Sequence, residues 1–144
     1  MTPDALAALC ATAMPQERLT AGELTRICFG ERDAVIGDEH AAAAYTMKRF
    51  GEYQAAWLLL VAVEPGAQGR GVGKALVRDV CERADAAGAR DVHLANAIPR
   101  YVWPGVDVTN TRAGMLFETL GFVRELVGTN MAIPTTFRRP APTV

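Results

Sequence analysis

Three glycines at alternate positions, Gly69, Gly71 and Gly73, mark the part of the sequence best suited to bind a ligand. Glycine leaves the backbone unshielded, so the amide N–H groups of such a turn can approach a ligand closely. Apolar side chains then recur at three- and four-residue steps up to Gly88, which predicts a helix. Because the first turn of a helix presents unpaired N–H groups and the positive end of its dipole, we predict that an anion binds here, with phosphate as the favoured ligand. A purely structural turn is the alternative.

An apolar run, Trp57 to Val63, comes shortly before this turn and is stopped by Glu64-Pro65-Gly66. It has the length of a strand buried on both faces and is far too short to span a bilayer, which takes about 20 apolar residues. The order is therefore strand, glycine-rich turn, helix.

Two common phosphate-binding motifs do not fit this turn. A Walker loop would have glycine in place of Gln68 and Ser or Thr in place of Ala75. A dinucleotide-binding loop would have glycine in place of Lys74 and an acid in place of Asn96, at the end of the next strand. A triphosphate site is therefore disfavoured, and a nucleotide-dependent oxidoreductase is kept only as a third function class.

The segment Gln68 to Gly73, Gln-Gly-Arg-Gly-Val-Gly, resembles the Gln/Arg-x-x-Gly-x-Gly/Ala signature of the GNAT acetyltransferase superfamily. A second segment, Asn110 to Phe122, is similar to that family's Asn-x-x-Ala-x-x-Leu-Tyr-Glu-x-Leu-Gly-Phe motif, with Phe117 where tyrosine is usual. The resemblance covers about residues 19 to 133. It implies an α/β (α+β) GNAT fold, in which a mixed, mostly antiparallel sheet has a splayed central pair of parallel strands and helices on both faces.

The resemblance also implies a reaction, the direct transfer of an acetyl group from acetyl-CoA to a primary amine of a small molecule or peptide. Acetyl-CoA would lie in the gap between the Trp57 strand and the His93 strand, with its pyrophosphate on the glycine turn and its pantetheine arm along the backbone of residues 61 to 63. A non-catalytic sensor or partner domain that binds acyl-CoA is the alternative function. The cofactor-binding residues implied are Val61, Ala62, Val63, Gln68, Gly69, Arg70, Gly71, Val72, Gly73, Lys74, Asn96, Asn110 and Phe117.

Catalytic side chains are harder to assign. By resemblance, the position that often holds a general-base glutamate falls at Trp57, and the tyrosine that commonly protonates the leaving thiolate falls at Phe117. Neither can transfer a proton. The candidates for proton transfer are Asp107, Tyr101 and His93, with Glu52 and Tyr45 also open and a structural role as the alternative for each.

Residues 97 to 109 are rich in aromatic residues and proline, and they include a Trp-Pro-Gly-Val-Asp segment like that of some bacterial GNAT domains. A loop of this composition is typical of a functional site, although a loop packed on the core is the alternative. The predicted substrate-binding residues are Tyr45, Tyr101, Trp103 and Asp107.

Composition sets the outer bounds. The chain has 144 residues, half of them hydrophobic, which predicts one domain over residues 1 to 137 and a tail over 138 to 144. A formal net charge of −1 favours neither nucleic acid nor an anionic membrane as partner. Cys10, Cys28 and Cys81 have no metal-ligand spacing and predict buried free thiols in a bacterial cytoplasm, with no metal site. Asp4 and the lack of a basic segment at the N-terminus argue against a signal peptide. The sequence leaves open whether the protein forms a homodimer.

The remaining elements follow from local patterns. Thr2-Pro3-Asp4 predicts the start of a helix, and Thr20 with Glu23 predicts the capping box of a second. In the family a first strand precedes these helices, and we expect the sheet here to lack it. Strands are predicted at 34 to 36, 41 to 47, 91 to 96, 122 to 127 and 129 to 133, with turns at 37 to 40 and 48 to 53 and with the 91 to 96 strand parallel to the Trp57 strand.

Overall fold

The computed structural model describes residues 1–94 and 110–123. Its helices are α1 (Pro3–Ala13), α2 (Ala21–Cys28), α3 (Val72–Ala86) and α4 (Thr111–Thr119), and its strands are β1 (Asp33–Gly37), β2 (Ala41–Phe50), β3 (Tyr53–Val63) and β4 (Ala89–Leu94). The predicted aromatic loop, the strand at 129 to 133, most of the strand at 122 to 127 and the tail lie outside the described residues. None of the described helices is long and apolar enough to cross a membrane.

The described strands form one sheet in the order β1-β2-β3-β4. β1, β2 and β3 pair antiparallel, and β4 pairs parallel with β3. This mixed sheet with a parallel pair confirms the expected fold class. The parallel pairing follows from α3, because a whole helix carries the chain back to the starting end of the sheet. Within residues 1–94, the first element is α1 and the strands follow α2.

One predicted turn was wrong. Residues 48 to 53 were expected to form a polar turn, but β2 continues to Phe50 and β3 begins at Tyr53. Only Gly51 and Glu52 make the turn, and Gly51 has a φ of 57° that suits a two-residue hairpin loop. Lys48 and Arg49 therefore belong to the last part of β2, where Lys48 is half-buried and Arg49 is exposed.

The helices α1 and α2 cover one face of the sheet. Both begin as predicted, since Thr2 caps α1 and Thr20 and Glu23 form a reciprocal capping box at α2. We call the buried residues of this face the α1/α2 cluster: Leu6, Leu9, Cys10, Leu24, Cys28, Ala42, Ala44, Leu59, Leu60 and Ala62. Cys10, Cys28 and Cys81 form no disulfide bond, and Cys81 is only half-buried. Burial raises the pKa of the Cys10 thiol to about 11, so it stays protonated at neutral pH.

The helices α3 and α4 cover the other face, where the α3/α4 cluster consists of Ala43, Tyr45, Ala56, Leu58, Val77, Val80 and Ala84. Leu116 and Phe117 of α4 pack against it. The four alanines of residues 41 to 44 are at most 4% exposed. Because alanine is small, both helix layers can pack closely on β2. The segment was predicted as a strand although its propensity alone would also allow a helix, and the structure confirms the strand.

A bulge interrupts β3. Ala44 pairs with Leu60 and Tyr45 pairs with Leu58, so Leu59 is an extra residue without a partner in β2. Leu59 and Leu60 consequently both pack in the α1/α2 cluster. A bulge bends a strand and increases its local twist. It divides β3 into a half before Leu59 and a half after it.

Candidate functional site

The glycine turn before α3 has the backbone that the sequence predicted. Gly69 and Gly71 both have a φ of 77°, in the left-handed region, and neither has a neighbour close to where a Cβ would lie. Gly71 is the N-cap of α3 and provides no side-chain cap, and the first helical bond runs from Ala75 N–H to Gly71 C=O at 3.0 Å. The N–H groups of residues 72 to 74 come before that bond and, as at any helix start, have no acceptor within the helix. A turn with this geometry can bind an anion through its backbone N–H groups.

Gly73 has a different role from the other two glycines. It lies inside α3, is buried, and a Cβ placed on it would be 3.1 Å from Leu116 Cδ1 and 3.4 Å from Val63 Cγ2. Its lack of a side chain brings α3 close to the end of β3 and to α4. The alternating spacing in the sequence thus combines two glycines needed for backbone conformation with one needed for packing.

The side chain of Gln68 holds the turn in place. Gln68 Nε2 donates to Val63 C=O at 2.9 Å, and Gln68 Oε1 accepts from Arg112 Nη1 of α4 at 3.2 Å. We call these two bonds the Gln68 clamp. The sequence predicted Gln68 as a cofactor-binding residue but gave no sign of the clamp, because Arg112 is 44 residues away. With Arg70 exposed and Lys74 half-buried nearby, the surroundings of the turn are positively charged.

The backbone beyond the bulge is oriented by the pairing register. Glu64 N–H donates to His40 C=O at 2.9 Å, so residues 64 and 62 of this antiparallel pair point their polar groups at β2. The N–H and C=O groups of Val61 and Val63 must then point to the opposite edge of β3. In the part of the chain that the structure describes, β4 pairs with β3 only from Gln54 to Leu58, before Val61 and Val63 are reached.

A second group of residues lies before the bulge, on the α1/α2 side of the sheet. Trp57 and His93 are register partners on β3 and β4, and their rings stack with centroids 4.8 Å apart at an angle of 20°. His93 Nε2 is 2.9 Å from Asp91 Oδ1. Lys48 Nζ lies 5.8 Å from the centroid of Trp57. Sequence reasoning found His93 but missed Asp91, although their two-residue spacing on a strand places both on one face.

The other predicted site residues are distributed as follows. Asn110 caps α4, because its Oδ1 accepts from Ala113 N–H at 3.1 Å. Phe117 packs edge-on against Phe122, with centroids 5.6 Å apart. Tyr45 is buried in the α3/α4 cluster, on the face of the sheet opposite His93. Asn96, Tyr101, Trp103 and Asp107 lie outside the described residues.

Residues 25–124 match the family model of the acetyltransferase (GNAT) domain. The chain belongs to the GNAT acetyltransferase family. No curated protein matches its sequence.

Several solved structures share the GNAT fold seen here. An aminoglycoside acetyltransferase from an uncultured soil metagenomic sample is 18% identical, covers 93% of this chain and 95% of its own, and has a TM-score of 0.62. A ribosomal-protein-alanine N-acetyltransferase from Brucella melitensis biovar Abortus 2308 is 13% identical and has a TM-score of 0.64, and the match covers 91% of this chain and 93% of that protein. A chain of the NatC complex bound to Gag peptide and CoA is 21% identical and has a TM-score of 0.51, and the match covers 60% of this chain and 48% of that chain. At these identities the likeness concerns the fold.

Proposed function

We propose that this GNAT protein binds acetyl-CoA on the turn before α3 and transfers its acetyl group to a primary amine of a small molecule or peptide. The observation that carries the proposal is the uncapped start of α3 behind two left-handed glycines, Gly69 and Gly71. The outward-facing backbone of Val61 and Val63 ends beside this turn, where Gln68 contacts Val63. A distant structural neighbour solved with CoA supports the choice of ligand.

The binding roles follow from the geometry of the turn and of β3. The N–H groups of the turn hold the pyrophosphate, and Arg70 and Lys74 add positive charge. The outward polar groups of Val61 and Val63 pair with the amides of the pantetheine arm. Because an N–H group on this edge is fixed in advance, it also stabilises the oxyanion of the tetrahedral intermediate. Asn110, whose Oδ1 caps α4, still has its amide N–H groups available for the same arm.

The chemistry requires a base more than an acid. An alkyl ammonium with a pKa around 10 must lose a proton before its nitrogen can attack, whereas a thiol with a pKa near 8.5 leaves as a tolerable anion at neutral pH. Phe117, which has no hydroxyl group, is therefore compatible with turnover. Tyr101, Trp103 and Asp107 stay proposals for the acceptor side.

The first prediction tests cofactor binding by thermal or urea unfolding with added acetyl-CoA. Ligand at about 100 times its Kd adds roughly 2.7 kcal/mol of stability to wild type. We expect Gly71→Glu to abolish this gain, because the new side chain fills the turn and adds negative charge. The matched control is Gly51→Glu, at a φ of 57° in the β2–β3 turn, which carries similar backbone strain and should keep the gain. A normal response of Gly71→Glu to acetyl-CoA would place the site elsewhere.

A panel of primary amines then separates the two functions. Release of CoA that depends on both acetyl-CoA and an amine supports the transferase. Binding of acetyl-CoA without turnover by any amine supports the alternative, a non-catalytic acyl-CoA sensor.

A further inference from the structure

His93 lies on β4, next to the strand on which the proposed acetyl-CoA would bind. It is the β4 register partner of Trp57. Trp57 itself lies two residues, or about 7 Å of strand, before the bulge at Leu59. His93 also precedes by one residue the Leu58–Leu94 pair at which the described β3–β4 pairing stops. An acyl group held on the outward edge of β3 beyond that pair would therefore have His93 as a close neighbour.

We infer that His93 is the general base, that its Nδ1 takes the proton from the acceptor ammonium, and that Asp91 is the residue that positions it. This inference rests on the proposed acetyl transfer. A carboxylate can only accept a hydrogen bond, so the contact of 2.9 Å between Asp91 Oδ1 and His93 Nε2 places the ring hydrogen on Nε2. In the neutral ring the lone pair is then on Nδ1.

Two further contacts fix this arrangement. The ring of Trp57 stacks on that of His93 and restricts its rotation. The other oxygen of Asp91 lies 3.4 Å from Arg90 Nε, which restrains the carboxylate. The side chain of His93 is nevertheless 35% exposed, so a substrate can reach it.

The second histidine of the chain differs in these respects. His40 contacts Glu64 Oε1 through its Nδ1 at 2.8 Å, and its side chain is 60% exposed. Within residues 1–94 and 110–123, no aromatic ring stacks on it. His40 therefore provides a natural comparison for His93.

The reaction moves two protons and one acetyl group. One proton of the ammonium goes to His93 Nδ1, and the nitrogen lone pair forms the N–C bond with the acetyl carbonyl carbon. The electron pair of the C–S bond leaves with sulfur, and the second proton from nitrogen goes to the thiolate. The imidazolium then returns its proton to water.

The inference is tested first by the tautomer of His93, read by nitrogen-15 NMR of the imidazole rings. The sequence has two histidines, so His40→Gln leaves the His93 resonances alone in the spectrum. We expect the tautomer with hydrogen on Nε2, and we expect Asp91→Asn to give a mixture, because an amide can accept or donate. A dominant Nδ1–H tautomer in the His40→Gln protein would overturn the inference, even if acetyl-CoA binds normally.

Kinetics with a turned-over amine provide the second test. His93→Gln should lower kcat by about 100- to 10,000-fold, and Asp91→Asn by about 10- to 100-fold, both without loss of acetyl-CoA affinity. Asp91→Glu, which keeps the carboxylate, should retain more activity than Asp91→Asn. The controls are His40→Gln and Asp79→Asn, the latter removing an exposed carboxylate that also contacts a cationic side chain, Arg83. Both should match wild type.

The outcomes separate this inference from the proposed function. Absence of any acetyl-CoA response in wild type contradicts the proposed function itself. Normal binding and turnover with a wild-type rate for His93→Gln contradicts only the role of His93.

Discussion

The two halves of β3 offer a ligand different kinds of group. Beyond the bulge at Leu59, Ala62 lies in the α1/α2 cluster and Val61 packs against the α3/α4 cluster, and within residues 1–94 no strand pairs with the outer edge of the backbone. Before the bulge, pairing with β4 occupies the backbone, and the side chains of Trp57 and its partner His93 are partly exposed. Backbone groups are suited to hold a cofactor, and side chains are suited to move protons.

The two halves of β3 should respond differently to mutation. A side chain can be exchanged without removing a backbone N–H group, so a backbone site tolerates substitutions that keep the strand intact. A side-chain site depends on the identity and orientation of each residue. Substitutions in the two halves of β3 should therefore affect different kinetic parameters.

The largest expected difference is between Trp57→Leu and Val61→Ala. Trp57→Leu removes the ring that holds His93, and a misplacement of about 1 Å can lower a rate about 100-fold, so we expect kcat to fall by that order with acetyl-CoA affinity near wild type. Val61→Ala keeps the backbone and should cost roughly 1 to 2 kcal/mol of folding stability, because its partly buried side chain packs against the α3/α4 cluster, and kcat should be unchanged. Steady-state kinetics and urea unfolding measure both. Equal losses of kcat in the two variants would contradict the division of β3.

A smaller effect is expected at the Gln68 clamp. Gln68→Met removes the bonds to Val63 C=O and Arg112 but keeps the length of the side chain. Because an exposed hydrogen bond contributes about 0.5 to 1.5 kcal/mol, acetyl-CoA affinity should fall about 2- to 10-fold with kcat unchanged. The control, Gln16→Met, changes an exposed glutamine of the turn Pro15–Glu17 and should have no effect. Calorimetric titration with acetyl-CoA distinguishes the two, and a fall in kcat alone would argue against a role in cofactor binding.

Much of the fold was predictable because its signals are local. The capping box of Thr20 and Glu23 spans four residues of chain, and the glycine at the end of α3, Gly88, has the left-handed φ of 92° expected of that position. The bulge at Leu59 was not predictable. It falls within three consecutive leucines, which read as an unbroken buried strand, and it is defined only by the register with β2.

The candidate site also has features that were predictable from local sequence and features that were not. The turn with Gly69 and Gly71 was predictable because a left-handed backbone requires glycine, which is visible in the sequence. The stacking of Trp57 on His93 was not, since it joins residues 36 positions apart and depends on the register between β3 and β4. Asp91 could have been found from its spacing to His93, but only after both were assigned to a strand.

The smallest expected effect is the pH dependence of the His40–Glu64 pair, where Glu64 directly follows the last residue of β3. The hydrogen bond to the Glu64 carboxylate and then its charge raise the pKa of His40. Desolvation opposes this rise, and the charges of Glu39 and Asp38 add smaller increases. A raised pKa in the folded state means that the added stability is complete below the unfolded pKa of about 6.5 and is lost as pH rises through the higher folded pKa. The pair is exposed, so the effect is screened by water and weakened further by salt. We expect urea midpoints to fall slightly over this range, and we expect His40→Gln to remove that fall while leaving acetyl-CoA affinity unchanged. An unchanged pH dependence in His40→Gln would assign it to other groups, and a change in acetyl-CoA affinity would extend the cofactor site to the β1–β2 turn.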